Sequence, residues 1–396
     1  MPTPLSAATI AIIKATVPPL KAHGPAIATT MYRHLLKDES IAALFNHANQ
    51  TTGAQPLALS QAVIAYAENI DNPGALGPVI ERISQKHIGY VILPAHYPYV
   101  ADALLTAIKE VLGDAASPEV LAAWGEAYWF LANVMIDRET EIRAEILAQP
   151  GGWTDWRRFV ISDRHAEADE IVSFTLRPED GGPVVPHQPG QYLTLRLDIA
   201  GLAGVKRNYS VSGAPDTSEY RITVKRDHHG QASAFLHDKG TVGTVLEIAP
   251  PAGDFQLPKD QKRPLILLSG GVGLTPFVSM MEVISTRHRD VQVYYVHGET
   301  DRAHHALDRE VLDAATRHGN AVVTTFYETG SEGSSGHGRI TMEWLLANTP
   351  VAEADIYLCG PRPFLRHFVS GLVEAGVSAA RIHYEFFGPA DEQLAA

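Results

Sequence analysis

The chain has a single cysteine, Cys359, in 396 residues. That excludes an internal disulfide framework, a thiolate-bound metal or iron–sulfur centre and a C-x-x-C-H attachment motif, and it suits a reducing cytoplasm. Cations are in deficit too: 32 Lys and Arg against 45 Asp and Glu leave a formal charge of -13. Nucleic acid and anionic lipid both reward clustered cations, so neither is expected as a partner. No window approaches the ~18 consecutive apolar residues of a membrane span. The first apolar run is broken by Lys14 and has no basic segment before it, so neither a signal peptide nor an anchor is expected. What the chain does have is 45% hydrophobic residues, enough at this length for two or three separate cores.

Residues 1–148 read as helix throughout. Apolar residues recur at spacings of three and four, and breakers collect at Pro18-Pro19, Asp71-Asn72-Pro73-Gly74, Pro94 and Ser117-Pro118. Six or seven helices are expected, the last running from about Pro118 to Ala148 and ending at Gln149-Pro150-Gly151-Gly152. Beyond that joint, FVISDRH, IVSFTLRP, QYLTLRLDI, EYRITVKR and TVLEIAP alternate apolar and polar residues between turns, the pattern of a small antiparallel barrel. From Arg263 onward, PLILLSGG, VQVYYVHG, AVVTTFYE and DIYLCGP are short apolar strands with helical stretches between them, the pattern of a parallel sheet wound with helices. The expected division is 1–148 helical, 149–260 antiparallel β-barrel and 261–396 α/β with a parallel sheet.

In LILLSGGVGLTPFVSMM a buried strand runs into Gly270, Gly271 and Gly273 and then into a helix opened by Thr275-Pro276. Such a turn lets a pyrophosphate approach the helix N-terminus, where free N–H groups and the dipole favour anions. Within the barrel region, Arg207, Tyr209 and Ser210 fall on one strand, offering a cation for phosphate, a ring for stacking and a donor for a heterocycle edge.

Six motifs then occur in order: QPGQY (188–192), RNYSVS (207–212), Gly230-x-x-Ser233, SGGVGLTP (269–276), YLCGPRPF (357–364) and IHYEFFGP (382–389). Together they resemble the ferredoxin-NADP reductase superfamily. The resemblance implies that Arg207 meets the FAD pyrophosphate, that Tyr192, Tyr209 and Ser210 hold the flavin and its ribityl chain, and that Ser233 contributes at a helix start. It implies that the turn of Gly270, Gly271 and Gly273 with Thr275, and the Cys359-Gly360-Pro361 turn, meet NAD(P)H, while Glu385 and Phe387 flank the isoalloxazine. Ala234 stands where this superfamily places an asparagine.

A reductase of this kind passes single electrons onward, which makes the helical region the natural acceptor. There, Tyr32, Phe45, Gln55, Leu59, Lys86-His87, Tyr97 and Glu139, with the phrases AVIAYAENI, LLTAIKEVLG and QPGGW, follow the order and approximate spacing of the globin half of bacterial and yeast flavohaemoglobins. By that resemblance His87 is the iron ligand of haem b, backed by Tyr97 and Glu139. Tyr32 and Gln55 would donate to bound O₂, Leu59 would wall the distal side, Phe45 would stack on the porphyrin and Lys86 would pair with a propionate. Pro56 biases the residue before it away from α geometry, which places Gln55 just ahead of its helix.

The implied activity is that of a nitric oxide dioxygenase, converting NO and O₂ to nitrate with electrons from NAD(P)H through FAD to haem b, in a cytoplasmic monomer. Two rivals carry the same motifs: a haem-based O₂/NO sensor whose reductase half resets the iron, and a reductase for soluble acceptors. NADH and NADPH stay undecided, because Glu299 and Arg302 pull in opposite directions for a 2′-phosphate.

Overall fold

The computed structural model describes residues 3–44, 54–199, 201–330 and 335–387. The chain divides after Ala148 into two compact units.

Seven α-helices are described in the first unit: Ala7–Ala15, Val17–Leu35, Glu39–Ala42, Ala54–Glu68, Gly77–Gly89, Tyr97–Leu112 and Pro118–Leu147. Their starts obey local chemistry. Ser6, Asp38 and Ser117 each accept a backbone N–H from the first turn that follows. Pro18, Pro78, Pro98 and Pro118 fall in opening turns, where a missing N–H leaves no bond unmade, whereas Pro25 lies inside Val17–Leu35. Ile13, Leu20, Ile27, Met31, Ala107, Ile108 and Trp124 form the centre of the core, contributed by helices that share one apolar face each. One expectation is corrected here. Gln55 does not precede its helix but lies within the first turn of Ala54–Glu68, because Pro56 at the third position still falls among the N–H groups that have no acceptor.

In the second unit, six strands, β1 (Arg157–Ala168), β2 (Ile171–Pro178), β3 (Tyr192–Ile199), β4 (Leu202–Ser210), β5 (Tyr220–Lys225) and β6 (Val245–Ile248), pair antiparallel in the order β4-β3-β6-β1-β2-β5. Beyond the end of β4, Val211 bridges Ile222 of β5, and Ser212 N–H donates to the Arg221 carbonyl at 2.8 Å, so the two edge strands are drawn together. Next come β7 (Leu265–Gly270), β8 (Val293–Glu299), β9 (Ala321–Tyr327), β10 (Gly336–His337), β11 (Asp355–Cys359) and β12 (Ile382–Glu385). These six are wholly parallel, in the order β10-β9-β8-β7-β11-β12. Leu265 and Leu267 of β7 pack toward helices Thr275–Arg287 and Asp308–His318, Ile266 and Leu268 toward Met342–Asn348 and Arg362–Glu374. Both faces of the sheet are covered, which is why the strand reads as an unbroken apolar run.

Barrel and parallel sheet meet along a polar seam. Arg221 at the start of β5 donates two bonds of 2.7 Å to the Glu310 carboxylate and a third, of 2.8 Å, to the Ser212 carbonyl. His187, 2% exposed, shares a 2.8 Å hydrogen bond through Nε2 with Ser279 of the first sheet-covering helix. Burial pushes the His187 imidazole down to about 3 from an ordinary 6.5, so it stays neutral in the folded state. The unfolded chain takes up this proton near pH 6.5 and the folded chain only near 3, so folding stability falls as pH drops through that window, by up to ~1.4 kcal/mol per pH unit from this group. His187→Gln should flatten that part of the stability curve, measured by denaturant unfolding at about pH 7 and about pH 4. Parallel curves for both proteins would show that His187 carries none of it.

Candidate functional site

Three helices of the first unit converge on one carboxylate. Glu139, in the third turn from the end of Pro118–Leu147, is fully buried. Its Oε1 lies 2.7 Å from His87 Nδ1 and accepts the Tyr97 hydroxyl at 2.6 Å; Tyr97 Oη is itself 3.1 Å from His87 Nδ1. His87 occupies the last turn of Gly77–Gly89, and Tyr97 opens Tyr97–Leu112. A carboxylate acceptor places the ring proton on Nδ1, leaving the Nε2 lone pair available to a metal. Burial, and next the Glu139 charge, push the Tyr97 hydroxyl up, so it remains a donor. Apolar residues Ile80, Ile83, Ile92, Leu131 and Met135 pack around Tyr97. Two partners were not foreseen from the sequence. Arg143 sits 3.6 Å from Glu139 Oε2 and donates to the Ile92 carbonyl, and Tyr128 donates to the Tyr97 carbonyl at 2.7 Å. The four-residue spacing of Glu139 and Arg143 was a usable signal.

Other residues expected at this site are less fully placed. Tyr32 is half-buried in the helical core, and burial raises its hydroxyl to about 12. Lys86 is exposed beside His87. Gln55 and Leu59 are positions of the helix Ala54–Glu68, but their side chains, and Phe45 altogether, lie outside the described residues.

On the barrel, Tyr192 pairs with Ser210 across β3 and β4, and Leu193 with Tyr209, so the aromatic and hydroxyl residues fall on adjacent strands. Arg207 follows the same strand and is partly exposed; its Nη1 donates to the Lys206 carbonyl at 2.7 Å. Ser233 lies in the first turn of Gln231–Lys239. Its hydroxyl accepts the Asp227 N–H at 3.0 Å and donates to the Gly230 carbonyl at 3.1 Å, which binds the preceding loop to the helix.

At the carboxyl edge of the parallel sheet, β7 ends at Gly270, a single turn holds Gly271–Leu274, and a helix begins at Thr275. Gly273 approaches the neighbouring strand end so closely that a Cβ there would come 2.3 Å from the Cys359 carbonyl oxygen. Only glycine permits that contact. It brings the helix N-terminus against the Cys359-Gly360-Pro361 turn. Thr275 is buried and donates to the Val272 carbonyl at 3.1 Å. Cys359 pairs in register with Ser269 on one side and Glu385 on the other. Burial, and then the Glu385 charge, push its thiol well above the usual range, which makes it an apolar wall and no nucleophile. Phe387 is exposed two residues after Glu385. Among the described residues no cluster of His, Cys, Asp and Glu could hold a metal ion by itself.

This architecture defines a class: a globin joined to an oxidoreductase module for a flavin and a nicotinamide dinucleotide. The globin family matches residues 28–135, the oxidoreductase FAD-binding domain 159–257 and the oxidoreductase NAD-binding domain 267–370. The chain is 60% identical over 389 residues to a flavohemoprotein of Xylella fastidiosa strain Temecula1, covering 98% of each chain. It is 41% identical over 391 residues to that of Pseudomonas aeruginosa, again covering 98% of each. The chain belongs to the flavohemoprotein family. Its fold superposes on a crystal structure of flavohemoglobin from Malassezia yamatoensis with bound FAD and heme, with TM-score 0.89, 27% identity and coverage of 98% of this chain and 100% of that one. The FAD/NAD-binding domain of a nitric oxide dioxygenase from Vibrio cholerae matches with TM-score 0.54 and 34% identity, over 59% of this chain and 100% of that one.

The Arg221–Glu310 pair is testable apart from any ligand. In a double-mutant cycle of Arg221→Leu and Glu310→Leu, a coupling of roughly 1–2 kcal/mol is expected from a bidentate, half-buried pair. Additive single effects in denaturant unfolding would show that the seam does not depend on it.

Proposed function

We propose that the protein is a nitric oxide dioxygenase that converts nitric oxide and dioxygen to nitrate with NADH or NADPH as reductant. The observation that carries this reading is the imidazole of His87 backed by the buried carboxylate of Glu139, in the same chain as a barrel and a dinucleotide sheet. Bound haem b supplies the centre where dioxygen meets nitric oxide, and FAD turns a two-electron hydride donor into a source of single electrons.

The residues divide that work. His87 would hold the iron through Nε2, while Glu139 and Tyr97 fix the ring and make it more electron-donating. Tyr32, Gln55 and Leu59 would form the distal wall, Tyr32 as a neutral donor; Phe45 and Lys86 would contact the macrocycle and its carboxylate edge. Arg207 would neutralise the FAD pyrophosphate, with Tyr192, Tyr209, Ser210 and Ser233 along the flavin. The glycine turn with the N-terminus at Thr275 would receive the dinucleotide pyrophosphate. Cys359, Gly360, Pro361, Glu385 and Phe387 would border the space where nicotinamide and flavin meet. The reading takes 1–148, 149–260 and 261–396 as the haem, FAD and NAD(P)H domains. It has the chain working as a monomer in the cytoplasm, where the lone Cys359 stays a thiol. No single described helix is long and apolar enough to cross a membrane.

Purified protein should consume NADH or NADPH steadily when nitric oxide and oxygen are both present and release nitrate. A single stoichiometric turnover would favour a sensor instead. His87→Ala should lose the haem absorbance and keep the flavin bands; normal haem content in that variant would remove the ligand assignment. Glu139→Gln should retain haem but weaken its hold by about 10–100-fold, read as haem transfer to an apoglobin acceptor.

A further inference from the structure

Glu299 closes β8, one strand from the glycine turn, on the face that carries Tyr295 and His297. Its side chain is 5% exposed, and its two oxygens differ. Oε1 accepts the Thr300 N–H at 2.9 Å, whereas Oε2 is buried with no hydrogen-bond partner among the described residues. A buried carboxylate oxygen without a donor is a costly arrangement that persists where something else completes it. Oε2 is aimed at the turn: a Cβ built on Gly271 would lie 4.0 Å from it. Gly271 has no Cβ and adopts φ +56°, so that side of the carboxylate is screened by backbone alone.

The cation that could have answered a 2′-phosphate is committed elsewhere. Arg302 is ion-paired with Asp308 and also donates to the Tyr327 hydroxyl at 3.4 Å. His304 is held by Asp301 at 2.7 Å. Burial raises the Glu299 carboxyl, and the Thr300 N–H, Lys225 and His304 temper that effect without reversing it.

We infer that Glu299 Oε2 accepts the ribose hydroxyls of the adenosine half of the dinucleotide, and that it makes this protein selective for NADH over NADPH. The inference rests on the reading of this unit as a nicotinamide-dinucleotide site. A dinucleotide with its pyrophosphate at the Thr275 helix start runs along the carboxyl edge from β7 toward β8, which brings its ribose to the end of β8. Free hydroxyls there supply the donors that Oε2 lacks. A 2′-phosphate supplies none and adds negative charge beside a carboxylate in a low-dielectric pocket.

The test is anaerobic reduction of the flavin in the holoprotein by each dinucleotide, which needs neither nitric oxide nor the haem reaction. NADH should exceed NADPH by at least about tenfold in second-order rate constant, and Glu299→Gln or Glu299→Ser should narrow that ratio about tenfold or more. Wild-type protein gives an independent measurement: 5′-AMP should compete with NADH at least about tenfold better than adenosine 2′,5′-bisphosphate. Equal use of both dinucleotides, or a ratio unmoved in a flavin-replete Glu299 variant, would overturn the inference while leaving the dioxygenase reading standing. Failure of both dinucleotides to reduce the flavin would overturn that reading as well.

Discussion

The first unit depends on a carboxylate placed where solvent cannot reach it. Glu139 is fully buried, and an isolated charge in such a place is strongly unfavourable. What makes it tolerable is convergence: the His87 ring and the Tyr97 hydroxyl both engage Oε1, and the Arg143 guanidinium stands behind Oε2. Three helices are thereby tied at one point, and removing the Arg143 guanidinium would leave a stranded charge, a loss of about 3–5 kcal/mol in comparable buried ion pairs. A network this costly to mis-satisfy also fixes geometry. It sets the imidazole's tautomer and its tilt, the two properties that a metal ligand needs and that packing alone does not specify.

The second unit solves a different problem, which is holding two sheets in register across a seam. The Arg221 guanidinium does this through shape: its fork grips the Glu310 carboxylate while another N–H reaches the Ser212 carbonyl. Ser212 is two residues beyond Ser210 on the strand proposed to carry the flavin, and Glu310 begins a helix of the dinucleotide sheet. A lysine could not make all three bonds at once. The His187–Ser279 bond adds a second, fully buried tie. Polar ties suit this seam better than a greasy one, since their directionality resists the small slide that would misalign nicotinamide and flavin.

Much of this was legible in the amino acids and some was not, for physical reasons. Alternation in β1 to β6 and unbroken apolar runs in β7, β8 and β11 announced one antiparallel sheet and one parallel sheet covered on both sides. The glycine turn announced itself because tight backbone approach has a residue-specific requirement, met at Gly273. His87 and Glu139, 52 residues apart, share no local pattern, and only the resemblance to flavohaemoglobins joined them. The position of Gln55 was misread because the rule for residues before proline weakens in a helix's first turn, where the proline's missing N–H costs nothing. Arg221 and Glu310 were passed over because an ion pair spanning 89 residues leaves no trace in spacing. The tie between Glu299 and Arg302 could not be broken from sequence either: Arg302 is ion-paired with Asp308 and hydrogen-bonded to the Tyr327 hydroxyl, and only the fold makes those neighbours.

The 18 histidines of the chain show why residue type alone cannot name a ligand. His297 and His305 lie ring against ring, 4.4 Å between centroids, in the interior beside β8. Burial lowers both, His305 to about 4. Burial outweighs the Asp308 carboxylate 3.8 Å from His305 Nε2, so the stack favours two neutral rings. Their Nδ1 atoms are used for Ser269 and for the Tyr327 hydroxyl, neutral partners that orient a ring without enriching it. His87 differs in one respect: the partner at Nδ1 is an anion. A neutral hydroxyl fixes position, whereas a buried carboxylate also pushes electron density toward Nε2. What sets the proposed iron ligand His87 apart from this stacked pair is therefore the buried carboxylate behind its ring, which Glu139 supplies from 52 residues away.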